Sequence, residues 1–178
     1  VRRPRFLPGA ALLLAAGPLL AADHPAEERL AAAVEQLRAA AGGWNVVTEF
    51  LDPDGSVSST VEGTYEFEWV VPGRVLTGTS DQPSLGQRSG LLFYVNETEM
   101  TLEMVSVGAD GRLWVMKGPV GSETRYSQPF TSRDGVESQL RFTRFAVEKD
   151  GFESRMEITR DGGKTWLPGN HQVFRRAK

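Results

Sequence analysis

The sequence predicts an all-β fold, an antiparallel up-and-down barrel preceded by one helix, and three observations carry that prediction. After Gly43 the apolar pattern takes a period of two and keeps it, as strands do when one face is packed and the other is wet. Turn signals recur at short intervals: Asp52-Pro53-Asp54-Gly55, Pro72-Gly73, Asn96-Glu97, Asp110-Gly111, Asp134-Gly135, Asp150-Gly151 and Asp161-Gly162-Gly163. Aspartate–glycine pairs supply the positive φ angles of tight hairpins. The segments between these turns run about 6–14 residues, which leaves room for hairpins and none for crossover helices. About nine or ten strands follow, and a meander of that length must close or fold over to hide its edges and bury its inner face. A barrel is the simplest solution, and a two-sheet β-sandwich is the alternative.

Residues 1–22 read as a secretory signal peptide. Arg2, Arg3 and Arg5 form a basic start, Phe6 to Leu20 is almost wholly apolar, and Leu20-Ala21-Ala22-Asp23 ends the run with small residues suited to a signal peptidase. The alternative is an uncleaved anchor or a buried helix, but the run is shorter than the roughly 20 residues a membrane span needs. Arg2-Arg3 also hints at a twin-arginine route. The expected location is therefore outside the cytoplasm, periplasmic or secreted, with no stable membrane span once the signal is removed.

Residues 23–43 read as a helix. Asp23 or His24 offers a cap, Pro25 suits the first turn, and Glu27 and Glu28 favour the positive end of the helix dipole. Leu30, Ala33, Val34, Leu37 and Ala41 recur at helical spacing, and Gly42-Gly43 ends the run. The apolar stripe is thin and mostly alanine, which places the helix on the outside of a larger body. Residues 44–178 then form the β-barrel domain. Tyr65, Phe67, Trp69 and Val71 alternate with Glu66, Glu68 and Val70, so Glu62, Glu66 and Glu68 are expected to face water. Phe152, Ser154, Met156 and Ile158 alternate in the same way with Glu153, Arg155, Glu157 and Thr159.

Composition excludes several functions. The formal net charge is −3, and without residues 1–22 it becomes 17 basic against 23 acidic residues, or −6. Such a surface repels phosphate backbones, so no nucleic-acid partner is expected. The chain has no cysteine, which rules out thiolate catalysis, cysteine-ligated metals and disulfides. His24 and His171 are too far apart in sequence to form a metal-ligand spacing, and one usable histidine does not assemble a serine–histidine–acid triad. Gly163-Lys164-Thr165 imitates the end of a phosphate loop, but Ile158 stands where that loop needs glycine.

Thr159-Arg160-Asp161-Gly162-Gly163-Lys164-Thr165-Trp166 resembles the Asp-box of sialidase propellers, a self-supporting hairpin whose role is structural. It occurs once here, and the chain is too short for a propeller, so a hairpin turn with Trp166 over it is expected. Arg141 and Arg144 flank Phe142-Thr143 and are three apart, so a regular strand would put them on opposite faces unless a bulge intervenes. Either one, if inward, is a candidate partner for a ligand carboxylate. Aromatic residues occur on nearly every strand and serve either a filled core or the lining of an apolar cavity. No pair of carboxylates stands out as acid and base, and no catalytic residue is assigned.

Gly42-Gly43-Trp44 after a short helix, Val61-Glu62-Gly63-Thr64-Tyr65, Arg141-Phe142-Thr143 and Asp161-Gly162-Gly163-Lys164-Thr165-Trp166 together resemble a bacterial exported family of unknown function. That family has a lipocalin-like, or calycin, barrel. The resemblance covers about residues 28–176 and implies the fold more than any activity. Nitrobindins, haem-binding barrels of similar architecture, place their haem histidine near the C-terminus, where His171 stands. Their glycine-rich Gly-x-Trp-x-Gly-x-Gly opening is absent, since Trp44 is followed by Asn45-Val46-Val47-Thr48.

The function expected from these readings is binding or carriage of a small apolar or amphipathic molecule in the barrel, without a cofactor. Trp69, Phe93, Trp114, Arg141, Phe142, Arg144 and His171 are the candidate ligand-binding residues. The alternatives are a structural or interaction module with a filled barrel and a protein partner, or a barrel enzyme, either haem-binding through His171 or cofactor-free.

Overall fold

The computed structural model describes residues 24–178, and the signal segment expected at 1–22 lies outside them. Helix α1 spans His24–Ala40, and eleven strands follow: β1 Gly42–Leu51, β2 Val57–Val71, β3 Val75–Gln82, β4 Gln87–Asn96, β5 Thr101–Gly108, β6 Leu113–Pro119, β7 Thr124–Ser127, β8 Phe130–Thr131, β9 Glu137–Glu148, β10 Gly151–Thr159 and β11 Leu167–Arg176. Each strand pairs antiparallel with its neighbour in the order β10-β11-β1-β2-β3-β4-β5-β6-β7-β9, and β9 pairs back to β10. Ten strands thus form a closed barrel, while the two-residue β8 adds outside it to β9. The fold is the antiparallel barrel with one N-terminal helix that the hairpin spacing predicts, and closure removes the exposed edges a meander would carry.

Helix α1 ends at Ala40, short of the expected end at Gly43. Its last carbonyls explain why it stops. The Arg176 guanidinium, at the end of β11, donates to the carbonyls of Ala41 and Ala39, which no longer have helical partners. Gly42 then takes a φ of +104°, a conformation few other residues adopt cheaply, and the chain turns straight into β1.

The alanine stripe does not lie along the barrel's flank; it covers one end. Ala33, Leu37 and Ala40 are buried against Leu76, Val95, Leu102 and Val120. Small side chains let the helix backbone sit close over the strand ends, and Leu37 is the plug.

A second apolar cluster lies inside the barrel wall, where Trp44, Val46, Phe67, Phe152 and Phe174 are buried together. Phe152 and Phe174 face each other across β10 and β11 and stack with centroids 4.2 Å apart. Trp44 meets Phe152 edge-on at 5.0 Å and donates its indole N–H to the Ala40 carbonyl at 2.8 Å. These are favourable aromatic geometries, and they tie β1, β10 and β11 to the helix end. Phe67 lies across Gly78 on β3, where a Cβ would fall 2.4 Å from the ring and 2.3 Å from the Glu66 carbonyl. Only glycine fits there.

The Asp-box turn is a hairpin loop between β10 and β11. Asp161 accepts from the Thr165 amide at 2.9 Å and from the Thr159 hydroxyl at 2.8 Å, and Thr159 accepts from the Gly163 amide at 2.9 Å. Those bonds to the charged form hold the Asp161 carboxyl down at about 2. Glu62, Glu66 and Glu68 are exposed, as the alternation along β2 requires. Among the described residues no helix is long and apolar enough to cross a membrane.

Candidate ligand cavity

The barrel is not filled. A cavity of about 270 Å³ lies beneath α1, with Leu37 and Ala40 as part of its roof. Phe67, Phe93, Phe152 and Phe174 line one side, and Met104, Met116, Trp114, Leu140, Phe142 and Met156 line the other. Ligand pockets of roughly 300–1,000 Å³ hold drug-sized molecules, so this one suits something smaller. The lining follows from strand alternation: Phe142 and Arg144 point inward on β9, Met104 and Ser106 on β5, Trp114 and Met116 on β6. Methionines on that side leave a deformable wall.

Polar groups converge at one place in this lining. The buried Arg144 side chain makes two hydrogen bonds to Glu123, from Nε at 2.7 Å and from Nη2 at 2.9 Å. Gln36 of α1 donates to the same carboxylate at 2.8 Å. Burial raises the Glu123 pKa, but the bonds from Arg144 and Gln36 and the nearby positive charges outweigh it, and the group stays below its ordinary value. Arg125 of β7 lies beside them, 6 % exposed. Its Nη2 donates to the side-chain Oε1 of Gln36 at 3.4 Å, and its guanidinium stands 5.9 Å from the Phe142 ring centre. Burial first, and then the positive charge of Arg144, push Arg125 down to about 10, with Glu123 opposing. It remains a cation at neutral pH.

A second interior polar group lies deeper in the barrel. Gln172 donates to the Thr48 hydroxyl at 3.0 Å and to Tyr65 Oη at 3.3 Å, and Gln82 donates to Thr48 at 3.2 Å. These groups satisfy one another across β1, β2, β3 and β11. They carry no net charge.

The structure separates the sequence-predicted residues into three sets. Phe93, Trp114, Phe142 and Arg144 line the cavity together. Trp69 points inward but packs against the cluster beneath the helix and does not line the cavity. Arg141 and His171 face the outside. No bulge falls between Arg141 and Arg144, whose partners Glu157 and Ser154 follow in regular register, so the two arginines take opposite faces. Arg141 pairs with Glu157 at 2.8 Å and lies 4.3 Å from the Trp166 ring centre.

His171 alternates with the inward-facing Gln172 and Phe174 and so projects from the outer wall. It sits between Glu49, 3.1 Å from Nδ1, and Glu153, 2.8 Å from Nε2, and stacks on Phe145. Burial lowers its pKa, but the hydrogen bonds and charges of the two carboxylates outweigh that and raise it above the ordinary histidine value. Both ring nitrogens are engaged outside the cavity. The residues present therefore do not fit a haem held by His171 within the barrel.

Arg125, Gln36 and Glu123 are the site residues that sequence reasoning missed. Arg125 lies on a four-residue strand, too short to show a period, and its inward neighbour is the polar Ser127. Gln36 sits on the helix face beside Leu37, with nothing to mark it as inward.

No family model matches this chain, and no curated protein does. Solved structures do match. Rv2717c from M. tuberculosis aligns with a TM-score of 0.56 at 15 % identity, covering 82 % of this chain and 98 % of its own. EF1p2_mFAP2b bound to DFHBI aligns at 16 % identity over the same shares, with a TM-score of 0.32. At 15 % identity the likeness to Rv2717c speaks to the fold alone, and it agrees with the topology: the chain is a closed ten-strand antiparallel, lipocalin-like barrel with one N-terminal helix.

Proposed function

We propose that this barrel binds and carries a small apolar or amphipathic molecule in its cavity. The observation that carries the reading is the cavity itself: about 270 Å³, walled by aromatic and methionine side chains and roofed by α1. Interiors are normally packed to crystal density, and a void lined by so many large side chains is a loss of contacts unless something occupies it. Helix α1 covers one end of the barrel, while Ser106, Trp114 and Leu140 on the far side of the cavity are partly exposed. That arrangement gives a blind pocket with a route in. Export through residues 1–22 belongs to the same proposal, and a purified protein beginning near Asp23 would support it.

Native mass spectrometry with an absorbance spectrum, on protein purified gently from its own host, tests the reading. A discrete bound mass lost on denaturation is the expected result. A Soret band would assign the occupant to haem and would overturn the cofactor-free form of the proposal. The purified ligand should raise stability by about 2.7 kcal/mol at a hundredfold excess over its dissociation constant. A clean unliganded mass, with no shift in melting temperature across a panel of lipids and small metabolites, would favour a structural module instead.

A further inference from the structure

Resting on that binding reading, we infer that the cavity's occupant carries a single carboxylate and that Arg125 receives it. The argument starts from charge. Three ionised side chains meet beneath α1: Arg125, Arg144 and Glu123. Glu123 is committed to Arg144 through two hydrogen bonds and to Gln36 through a third. Among the described residues, no carboxylate forms an ion pair with Arg125. The cluster therefore holds one positive charge in excess; the other carboxylate bordering the cavity, Glu103, is taken up by Tyr94, Asn96 and Thr101, and a buried charge without a partner is costly.

The donors point the same way. Arg125 makes one long hydrogen bond, at 3.4 Å to Gln36, out of the five a guanidinium offers. Among the described residues no fully enclosed side-chain nitrogen or oxygen lacks a partner. The unused donors of Arg125 therefore retain access to open space, and Arg125 lines the cavity. A planar fork of free N–H groups matches a carboxylate, which it holds by two parallel bonds. A dianion would replace the surplus positive charge with a surplus negative one, so a monocarboxylate balances the site better than a phosphate monoester. The rest of the molecule faces Phe142, Phe93, Met104 and Met116. An aryl or medium-chain alkyl monocarboxylate, smaller than a typical drug, satisfies both ends.

Calorimetric titration with two matched pairs tests this: 2-naphthoate against 2-naphthylmethanol, and decanoate against decanol. On the wild-type protein each acid should bind at least about tenfold more tightly than its alcohol, the scale of a charge-assisted bidentate contact. Arg125→Gln should erase that preference while leaving alcohol affinity within a few fold. Arg141→Gln, on the outer face, should keep it. If acid and alcohol bind alike, or if the preference survives Arg125→Gln, the carboxylate inference is wrong although the cavity still binds. No heat and no thermal shift with any of the four compounds overturns the inference, and with a clean unliganded mass it removes the binding reading too. Should Arg125→Gln fail to fold, as judged by circular dichroism, Arg125→Lys replaces it. A lysine keeps the charge without the fork, so the preference should fall at least threefold but not vanish; an unchanged preference would count against the guanidinium.

Discussion

Two sectors of one barrel wall are built to different standards. In β10, β11, β1 and β2 the inward residues Trp44, Phe67, Phe152 and Phe174 are buried against one another, with Phe152 and Phe174 as direct cross-strand partners. In β5, β6, β7 and β9 the inward residues include Met104, Met116, Trp114 and Phe142, which border open space, and the arginines 125 and 144. Both sectors obey the same alternation and the same hydrogen-bond ladder. They differ in what the inward side chains do for one another. Phe67, Phe152 and Phe174 reach the cavity as well, but much of each ring is spent on its aromatic neighbours, whereas a wall of methionines and buried cations leaves more of its surface available. One sector mainly holds the barrel together, and the other offers most of its inner face to whatever the cavity holds.

Truncation in the two sectors sharpens this contrast most. Phe152→Ala, in the packed sector, should cost about 3–5 kcal/mol in denaturant unfolding, the range for removing a buried phenylalanine. Phe142→Ala, on the cavity side, should cost only about 1–2 kcal/mol, because the ring already lacks partners on one face. Equal losses would break the comparison.

The two inward arginines give the next largest difference. Arg144→Met strands Glu123 in a half-buried place and should destabilise the unliganded protein by about 1–3 kcal/mol. Arg125→Met removes a charge that has no carboxylate, so it should leave stability unchanged or raise it by up to about 1 kcal/mol. Thermal melts of the two variants, side by side, check this. A larger loss from Arg125→Met would mean that the cation is satisfied without a ligand.

The smallest effect belongs to the outer wall. The folded pKa of His171 lies above its ordinary value, so His171 contributes stability that is fully present below about 6.5, the unfolded value. That contribution is lost as pH rises through the folded pKa. Wild type and His171→Gln, compared by unfolding midpoint from acid to mildly alkaline pH, should therefore converge as pH rises. A gap that stays constant would show that the two carboxylates do not bias the imidazole.

Much of the fold was legible because it depends on short-range patterns. The aspartate–glycine turns marked hairpins, and Phe152, Ser154 and Met156 showed their inward face by period alone. The site was legible only in part. Arg144 could be recognised as a candidate, and the three-residue gap to Arg141 already implied opposite faces. Which of the two faces was inward depended on the whole strand's register. Arg125 left no local trace, because its significance comes from Glu123 choosing Arg144, a partner 21 positions away on another strand, and from Gln36 reaching across from the helix. His171 looked like an inward ligand by its place near the chain end, yet its neighbours Gln172 and Phe174 take the inner face. The alanine stripe predicted a helix with little to bury, but not that the surface it meets is the end of a barrel.

The pairing of β1 with β11 sets an order of events. Trp44 lies opposite Arg176, and the Arg176 guanidinium closes the last turn of α1. The helix finds packing partners from β3 to the end of β6, and β1 pairs on one edge with the neighbouring β2, but the other edge of β1 waits for β11, made more than a hundred positions later. The seam of the barrel cannot close until β11 is available, so enclosure of the pocket is a late step. Long-range closures of this kind slow folding, and they leave the aromatic sector exposed while it waits. A chain arrested short of β11 would have most of its strands and no container.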